Sequence, residues 1–233
     1  VGPNSSGKSS CIHALACLGQ TVKVTNNTRP LILDDEFAAV HLGRFIEVIH
    51  SKSYLDAISL GVAISEMPLV TFVSKGGKTK QSPVSIEVGA AAKYSFKCTL
   101  RTQDIYLTDA TIKIGDHIFN AKSDHKRFVI TRGDDSEKAP FSVETAFFFD
   151  EKNIMYAGEV KNYINYFPLF QFQNRLKEEL NNTLYLGPFR QAPQRKYATR
   201  GSSPSEVGAM GESTVTLLAN EIVLRVGLPE SVE

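Results

Sequence analysis

The sequence predicts an α/β fold with a phosphate-binding loop at its front and a large antiparallel β-rich lobe behind it. Three observations lead there. Gly2 to Ser9 match G-x-x-x-x-G-K-[ST]. Apolar residues then recur at helical spacing, at Cys11, Ile12, Leu15, Ala16 and Leu18. From about residue 56 to residue 130 the period changes to two, with turn residues between apolar runs.

The loop reads Gly2-Pro3-Asn4-Ser5-Ser6-Gly7-Lys8-Ser9-Ser10. A nucleoside triphosphate is a chain of crowded negative charge, and a tight loop can turn its backbone N–H groups inward around it. Gly2 and Gly7 permit backbone angles and an approach that a Cβ would block. The helix that follows adds free N–H groups and a partial positive charge. In such a loop Lys8 reaches the β- and γ-phosphates and the Ser9 hydroxyl ligates Mg²⁺. Ser10, the next helical residue, lies within reach of the α-phosphate. The alternative is a Gly/Ser turn that happens to carry a lysine, and a helix predicted directly after the loop argues against it.

That helix is predicted over residues 9–19, with Gly19 at its C-cap and Cys11 and Cys17 as small core residues. Residues 21–28 read as a polar loop, and Leu31-Ile32-Leu33 as a short strand before Asp34-Asp35-Glu36. Residues 40–50 read as a short structured connector, which completes a first segment, 1–55.

The second segment, 56–150, is the β-rich lobe. Ile58-Leu60-Val62-Ile64 alternates as a half-buried strand does. Residues 69–73, 84–88, 94–100, 105–107, 111–114, 117–119 and 128–130 are further strands. Residues 78–83 form a polar loop, and turns fall at Gly115-Asp116 and at residues 132–135. Short strands joined by short turns predict an antiparallel meander rather than βαβ units. In the third segment, 151–233, residues 153–182 are largely helical and Asn174 to Glu179 is a solvated helix face. Residues 183–186 are a short buried strand, 189–212 a loop rich in Gly, Ser, Pro and Arg, and 214–225 a helix.

Composition bounds the chemistry. The net charge of +1 gives no global pull towards nucleic acid or anionic lipid, so any such contact needs a local patch. Three cysteines (Cys11, Cys17, Cys98) and five dispersed histidines make neither a disulfide framework nor zinc spacing. No apolar run reaches about 18 residues, and no leader is visible, so a cytoplasmic protein without a membrane segment is expected.

Two further stretches are candidates. Ala146-Phe147-Phe148-Phe149-Asp150-Glu151 has the form of a Walker B strand. There Asp150 would hold Mg²⁺ through water and Glu151 would polarise the attacking water. The alternative is an apolar core segment before an ordinary acidic turn. Arg190, Arg195, Lys196 and Arg200 fall within eleven residues, beside Phe189 and Tyr197. They suit phosphates of a nucleotide or of nucleic acid, with the rings as stacking surfaces, or else a solvated loop with salt bridges. Val207-Gly208-Ala209-Met210-Gly211-Glu212 is a glycine-bearing turn leading into the last helix.

The G-P-N-x-x-G-K-S form of the loop resembles that of the ABC/SMC/RecF-type ATPases. Leu42-Gly43-Arg44-Phe45-Ile46-Glu47-Val48-Ile49-His50 resembles a stretch of the ATPases related to the overcoming-lysogenization-defect (OLD) proteins. Tyr185-Leu186-Gly187-Pro188-Phe189-Arg190-x-x-Pro193 and Val207-Gly208-x-x-Gly211-Glu212 resemble two more of their motifs, in the same order. The resemblance spans about 210 residues. It implies an ABC-type P-loop NTPase domain, binding ATP and Mg²⁺, with Arg190 a further nucleotide contact. It also implies a homodimer or higher homo-oligomer that sandwiches ATP, and a nuclease or other effector as partner. Relatives act in DNA repair or in antiviral defence, as in the Septu and Gabija systems. The signature motif, the Walker B strand and the switch histidine of such proteins normally lie beyond the V-G-x-x-G-E turn and are not in this sequence. That weighs against the Asp150–Glu151 assignment and predicts poor hydrolysis by the chain alone. With no buried strand before the loop and none after the last helix, an incomplete domain of a longer polypeptide is expected.

Overall fold

The computed structural model describes residues 8–24, 29–36, 38–50, 52–74, 81–124, 127–133, 138–141, 143–145, 147–149, 160–187, 207–208 and 210–226. The chain is mixed α/β and divides into two units, Val1–Asn182 and Thr183–Glu233. Among the described residues the first unit holds α1 (Lys8–Lys23), the single-turn α2 (Phe45–Val48), eight strands and α3 (Val160–Asn181). The second holds α4 (Thr214–Val226).

Six strands form one antiparallel meander in sequence order: β1 (Ile58–Ser74), β2 (Gln81–Cys98), β3 (Ile105–Ile114), β4 (His117–Asp124), β5 (Arg127–Arg132) and β6 (Lys138–Phe141). The expected meander is therefore present, but its first strands are longer than the sequence suggested. Residues 58–64 and 69–73 are one strand, interrupted by a register shift between Ile64 and Met67. Residues 84–88 and 94–98 are likewise one strand, and Gln81-Ser82-Pro83 belongs to it rather than to a loop. The bulge breaks the alternation without breaking the strand, so one strand reads as two. Proline lacks the ladder donor and is confined to edges and bulges. Pro68 lies on edge strand β1 and Pro140 on edge strand β6, while Pro83 lies where β2 extends beyond its pairing with β3. The β3–β4 turn is the expected Gly115-Asp116 pair, with Gly115 at φ +53°.

One face of the sheet is the core. Tyr94, Phe96, Ile112, Ile114, Phe119 and Ile130 are buried, and their neighbours along each strand point the other way. The face is covered by α3, which buries Tyr166, Leu169, Phe170, Gln173, Leu176 and Leu180 at three- and four-residue spacing. The Tyr166 hydroxyl donates to Ile130 O at 3.1 Å. Phe147 lies 4.7 Å from the Tyr94 ring and 6.4 Å from Phe96, centroid to centroid. Arg175 pairs with Glu178 and Glu179 on the solvent side of α3, as the expected solvated face requires.

Buried backbone must be hydrogen-bonded even where no strand partner exists, and three glutamines meet that need. The Gln171 amide accepts from Val70 N–H at 2.8 Å and donates to Val70 O at 3.0 Å, on the edge of the sheet. Gln173 does the same for Phe149, at 2.8 and 3.2 Å. Gln20 donates to Ile32 O and Val40 O and accepts from Val40 N–H.

The last of these corrects four expectations. α1 does not end at Gly19 but runs on to Lys23, so residues 21–23 are helix, not loop. A Cβ on Gly19 would lie 3.5 Å from Leu180 O; the glycine marks where α1 packs closely on α3. Leu31-Ile32-Leu33 is buried but is not a strand. Side chains of α1 bond both polar groups of Ile32 and Leu42 N–H donates to Leu33 O, so apolar β-formers sit there without a sheet. Cys17 is buried as expected, whereas Cys11 is exposed. A fifth correction falls in the second unit: residues 183–186 form no strand, and Leu184 and Leu186 are exposed.

Candidate functional site

The phosphate-loop residues Gly2, Pro3, Asn4, Ser5, Ser6 and Gly7 lie outside the described residues. So do Asp150, Glu151, Arg190, Arg195, Lys196 and Arg200. What is described is the helix that the loop leads into. α1 begins at Lys8, the residue after Gly7. The first amides of a helix have no intrahelical acceptor; here they include those of Lys8, Ser9 and Ser10. No acidic residue occupies that first turn, so no carboxylate of the turn competes for those donors. Ser9 and Ser10 are exposed there. A triphosphate with its Mg²⁺ fits this donor set: neutral hydroxyls and free N–H groups at the positive end of a sixteen-residue helix.

The far end of α1 is held in place by polar contacts that sequence reasoning missed. Thr21 Oγ1 donates to Cys17 O at 2.7 Å and accepts from Ile32 N–H at 2.9 Å. Cys17 Sγ and Gln20 both reach Ile32 O, at 3.2 and 2.9 Å. Burial pushes the Cys17 thiol up to about 12, so it is a protonated donor and not a nucleophile. The signal was present in the sequence: 17, 20 and 21 share a helix face with 16 and with 13. A glutamine and a threonine on that face after a glycine looked like a loop.

The two glycine motifs have one construction. Gly43 has φ +75°, and a Cβ there would lie 2.3 Å from Glu47 Oε2. Glu47 Oε2 accepts from Arg44 N–H at 2.7 Å, and its Oε1 faces the Arg44 guanidinium at 3.1 Å. The Arg44 N–H, and then its guanidinium, hold the Glu47 carboxyl below its ordinary range. Gly208 has φ +80°, and a Cβ there would lie 2.3 Å from the Glu212 carboxylate, which accepts from Met210 N–H at 2.9 Å. In both, a left-handed glycine makes room for a carboxylate four residues on that caps a turn. Gly211, at φ +75°, completes the turn into α4, where Thr214 Oγ1 donates to Gly211 O at 2.7 Å.

In the first unit, residues 29–34, 43–45 and 102–105 surround a cleft of about 550 Å³. Its apolar wall includes Leu31, Leu33 and Phe45, all buried. Arg44 and Asp34 at its rim are already paired, with Glu47 and with His41.

The segment proposed as a Walker B strand is a two-residue strand, β8 (Phe148–Phe149), antiparallel to β7 (Val143–Thr145) and buried against Gln173. Among the described residues no group of three or more His, Cys, Asp or Glu side chains could hold a metal ion. Among them, too, no helix is long and apolar enough to cross a membrane. Comparison with protein-family models, curated proteins and solved structures finds no match.

Proposed function

We propose that this chain is the ATP-binding part of an ABC/OLD-like ATPase, in which nucleotide-driven dimerisation controls a nuclease or DNA-processing effector. Anti-phage defence or DNA repair in the cytoplasm is the setting this reading implies. The observation that supports it is the complete G-P-N-S-S-G-K-S loop running without a break into α1 at Lys8, whose first turn carries no acid. When bound, Mg²⁺ neutralises charge on the phosphates. In this reading the residues Gly2 to Gly7 wrap the phosphates, Lys8 pairs with them and Ser9 faces the metal. Arg190 adds a cation to the nucleotide, and Arg195, Lys196 and Arg200 face DNA.

A second reading is a nucleotide-sensing scaffold that assembles with a nuclease and does not hydrolyse. It is favoured by the antiparallel pairing of β8 before Asp150 and Glu151, and by a sequence with no signature motif. Equilibrium titration with MgATP tests what both share. The wild-type chain binds, and Lys8→Ala weakens binding by about 10- to 100-fold, the range of a charge-assisted hydrogen bond. A wild-type chain that fails to bind, or a variant that binds equally, contradicts the proposal. Turnover in the assembled protein then separates the readings: the first requires it, the second predicts none.

A further inference from the structure

The face of the meander opposite α3 carries an uneven charge. The register sets its residues in rows across the strands. One row runs Gly61, Lys93, Thr111, Asn120, Thr131; the rows on either side place Lys122 beside Asp109 and Lys113 beside Ala91. Lys93, Lys113 and Lys122 are exposed, and Lys97 is half-buried on the same face beside exposed Tyr106. None of the four lysines makes an ion pair or hydrogen bond among the described residues. Asp109 lies among them, where Thr108 Oγ1 donates to it at 2.8 Å, and exposed Glu87 lies farther along β2 on the same face. In a chain whose net charge is only +1, four unpaired cations share this face with two exposed carboxylates, Asp109 and Glu87.

Beside the lysines lies a trough of about 800 Å³ over β3, β4 and β5, lined by Thr108, Asp109, Thr111, Asn120, Lys122 and Thr131 among others. The Thr108, Thr111 and Thr131 hydroxyls donate to Ser95 O, Asn120 Oδ1 and Asn120 O, so the donors turned to phosphate oxygens are the Asn120 amide and the ammonium groups. Gly61, Ala63 and Ala91 keep the neighbouring strands low. Strand spacing and rise put the Lys93 and Lys113 Cα atoms about 8 Å apart, and those of Lys113 and Lys122 about 14 Å. The charges are thus distributed along a path rather than gathered at a point, which suits an extended polyanion over a single small anion.

We infer that this sheet face binds the sugar–phosphate backbone of a single-stranded nucleic acid, with Tyr106 as a stacking surface at one end. Its residues are other than those of the arginine-rich stretch 190–200, and the inference does not depend on the nucleotide reading. The test is fluorescence anisotropy of a labelled single strand of roughly 20 nucleotides, titrated with the whole chain from about 50 to about 200 mM salt. Four lysines on four phosphates give a slope of log K against log salt of about −3, at about −0.7 each. Replacing Lys93, Lys113 and Lys122 together by Gln weakens binding at least about 10-fold at low salt and brings the slope to about −1, while MgATP binding is unchanged. If the triple variant does not fold, each single Lys→Gln variant lowers the slope by about 0.7. Three results overturn the inference: no binding by the wild-type chain; affinity and slope unchanged in the lysine variants but lost when Arg190 and Arg195 are neutralised; or tighter binding of duplex DNA or of polyglutamate than of the single strand.

Discussion

Residues 8–15 and 16–23 of α1 have one helical period and opposite surroundings. In the second half Ala16, Cys17, Leu18, Gln20 and Thr21 are buried, and the polar members bond to the backbone of residues 32 and 40. In the first half Ser9, Ser10 and Cys11 are exposed, and so are Ile12 at 56% and Leu15 at 43%. The helix is anchored at its C-terminal half, by polar side chains as well as apolar ones. Amphipathic spacing locates a helix, but it does not tell which turns are buried.

Substitution can break this contrast. The largest effect is expected at Gln20→Ala, which strips partners from Ile32 O and from both polar groups of Val40. An unfolding free energy lower by about 2–4 kcal/mol should follow in urea denaturation. Thr21→Val leaves Ile32 N–H unpaired and should cost about 1–3 kcal/mol. Leu15→Ser and Ile12→Ser, on the open half, should fall within about 0.5 kcal/mol of wild type. Equal costs in the two halves would contradict the anchoring.

A smaller effect sharpens the same point in the sheet core. The Tyr94 hydroxyl is buried without a hydrogen-bond partner, unlike the fully bonded side chains of Gln20 and Thr21. Tyr94→Phe should therefore be neutral or stabilising by up to about 1 kcal/mol. Burial holds the Tyr94 hydroxyl above its ordinary range and the Cys17 thiol at about 12 against 9.0. Both groups stay protonated in the fold while the unfolded chain ionises, so their contribution to stability is constant below about pH 9 and falls as pH rises towards 12. Cys17→Ala should flatten the first part of that decline, read as melting temperature against pH. A stability that rises above pH 9 would contradict the sign.

Much of the β lobe was legible because alternation survives in most of β2, β3 and β5. The lengths of β1 and β2 were not. A bulge at Ile64/Met67 and prolines at 68 and 83 look like strand ends, yet they sit on unpaired edges where a ladder donor is not needed. Leu31–Leu33 and residues 183–186 failed for a common reason: apolar composition was taken for a strand, and pairing depends on a neighbour that local sequence does not contain. Gly19 failed because a glycine at a helix crossing and a glycine at a helix end look alike. In the site, the sequence placed the start of α1 within one residue and the glycine-bearing turn at 207–212, whereas the left-handed turn at Gly43 was read only as part of a connector. Nor did the sequence reveal Gln20 and Thr21, whose role depends on segments that lie 11 to 20 residues away.

The most direct measurement is amide hydrogen exchange along α1 with and without MgATP. If the loop and the first turn of α1 cradle the phosphates, nucleotide should slow exchange at Lys8, Ser9 and Ser10, whose amides have no helix partner. Exchange at Gln20 and Thr21 should stay as it was. Unchanged exchange over the first turn at saturating MgATP, or protection confined to the anchored half, would contradict the account.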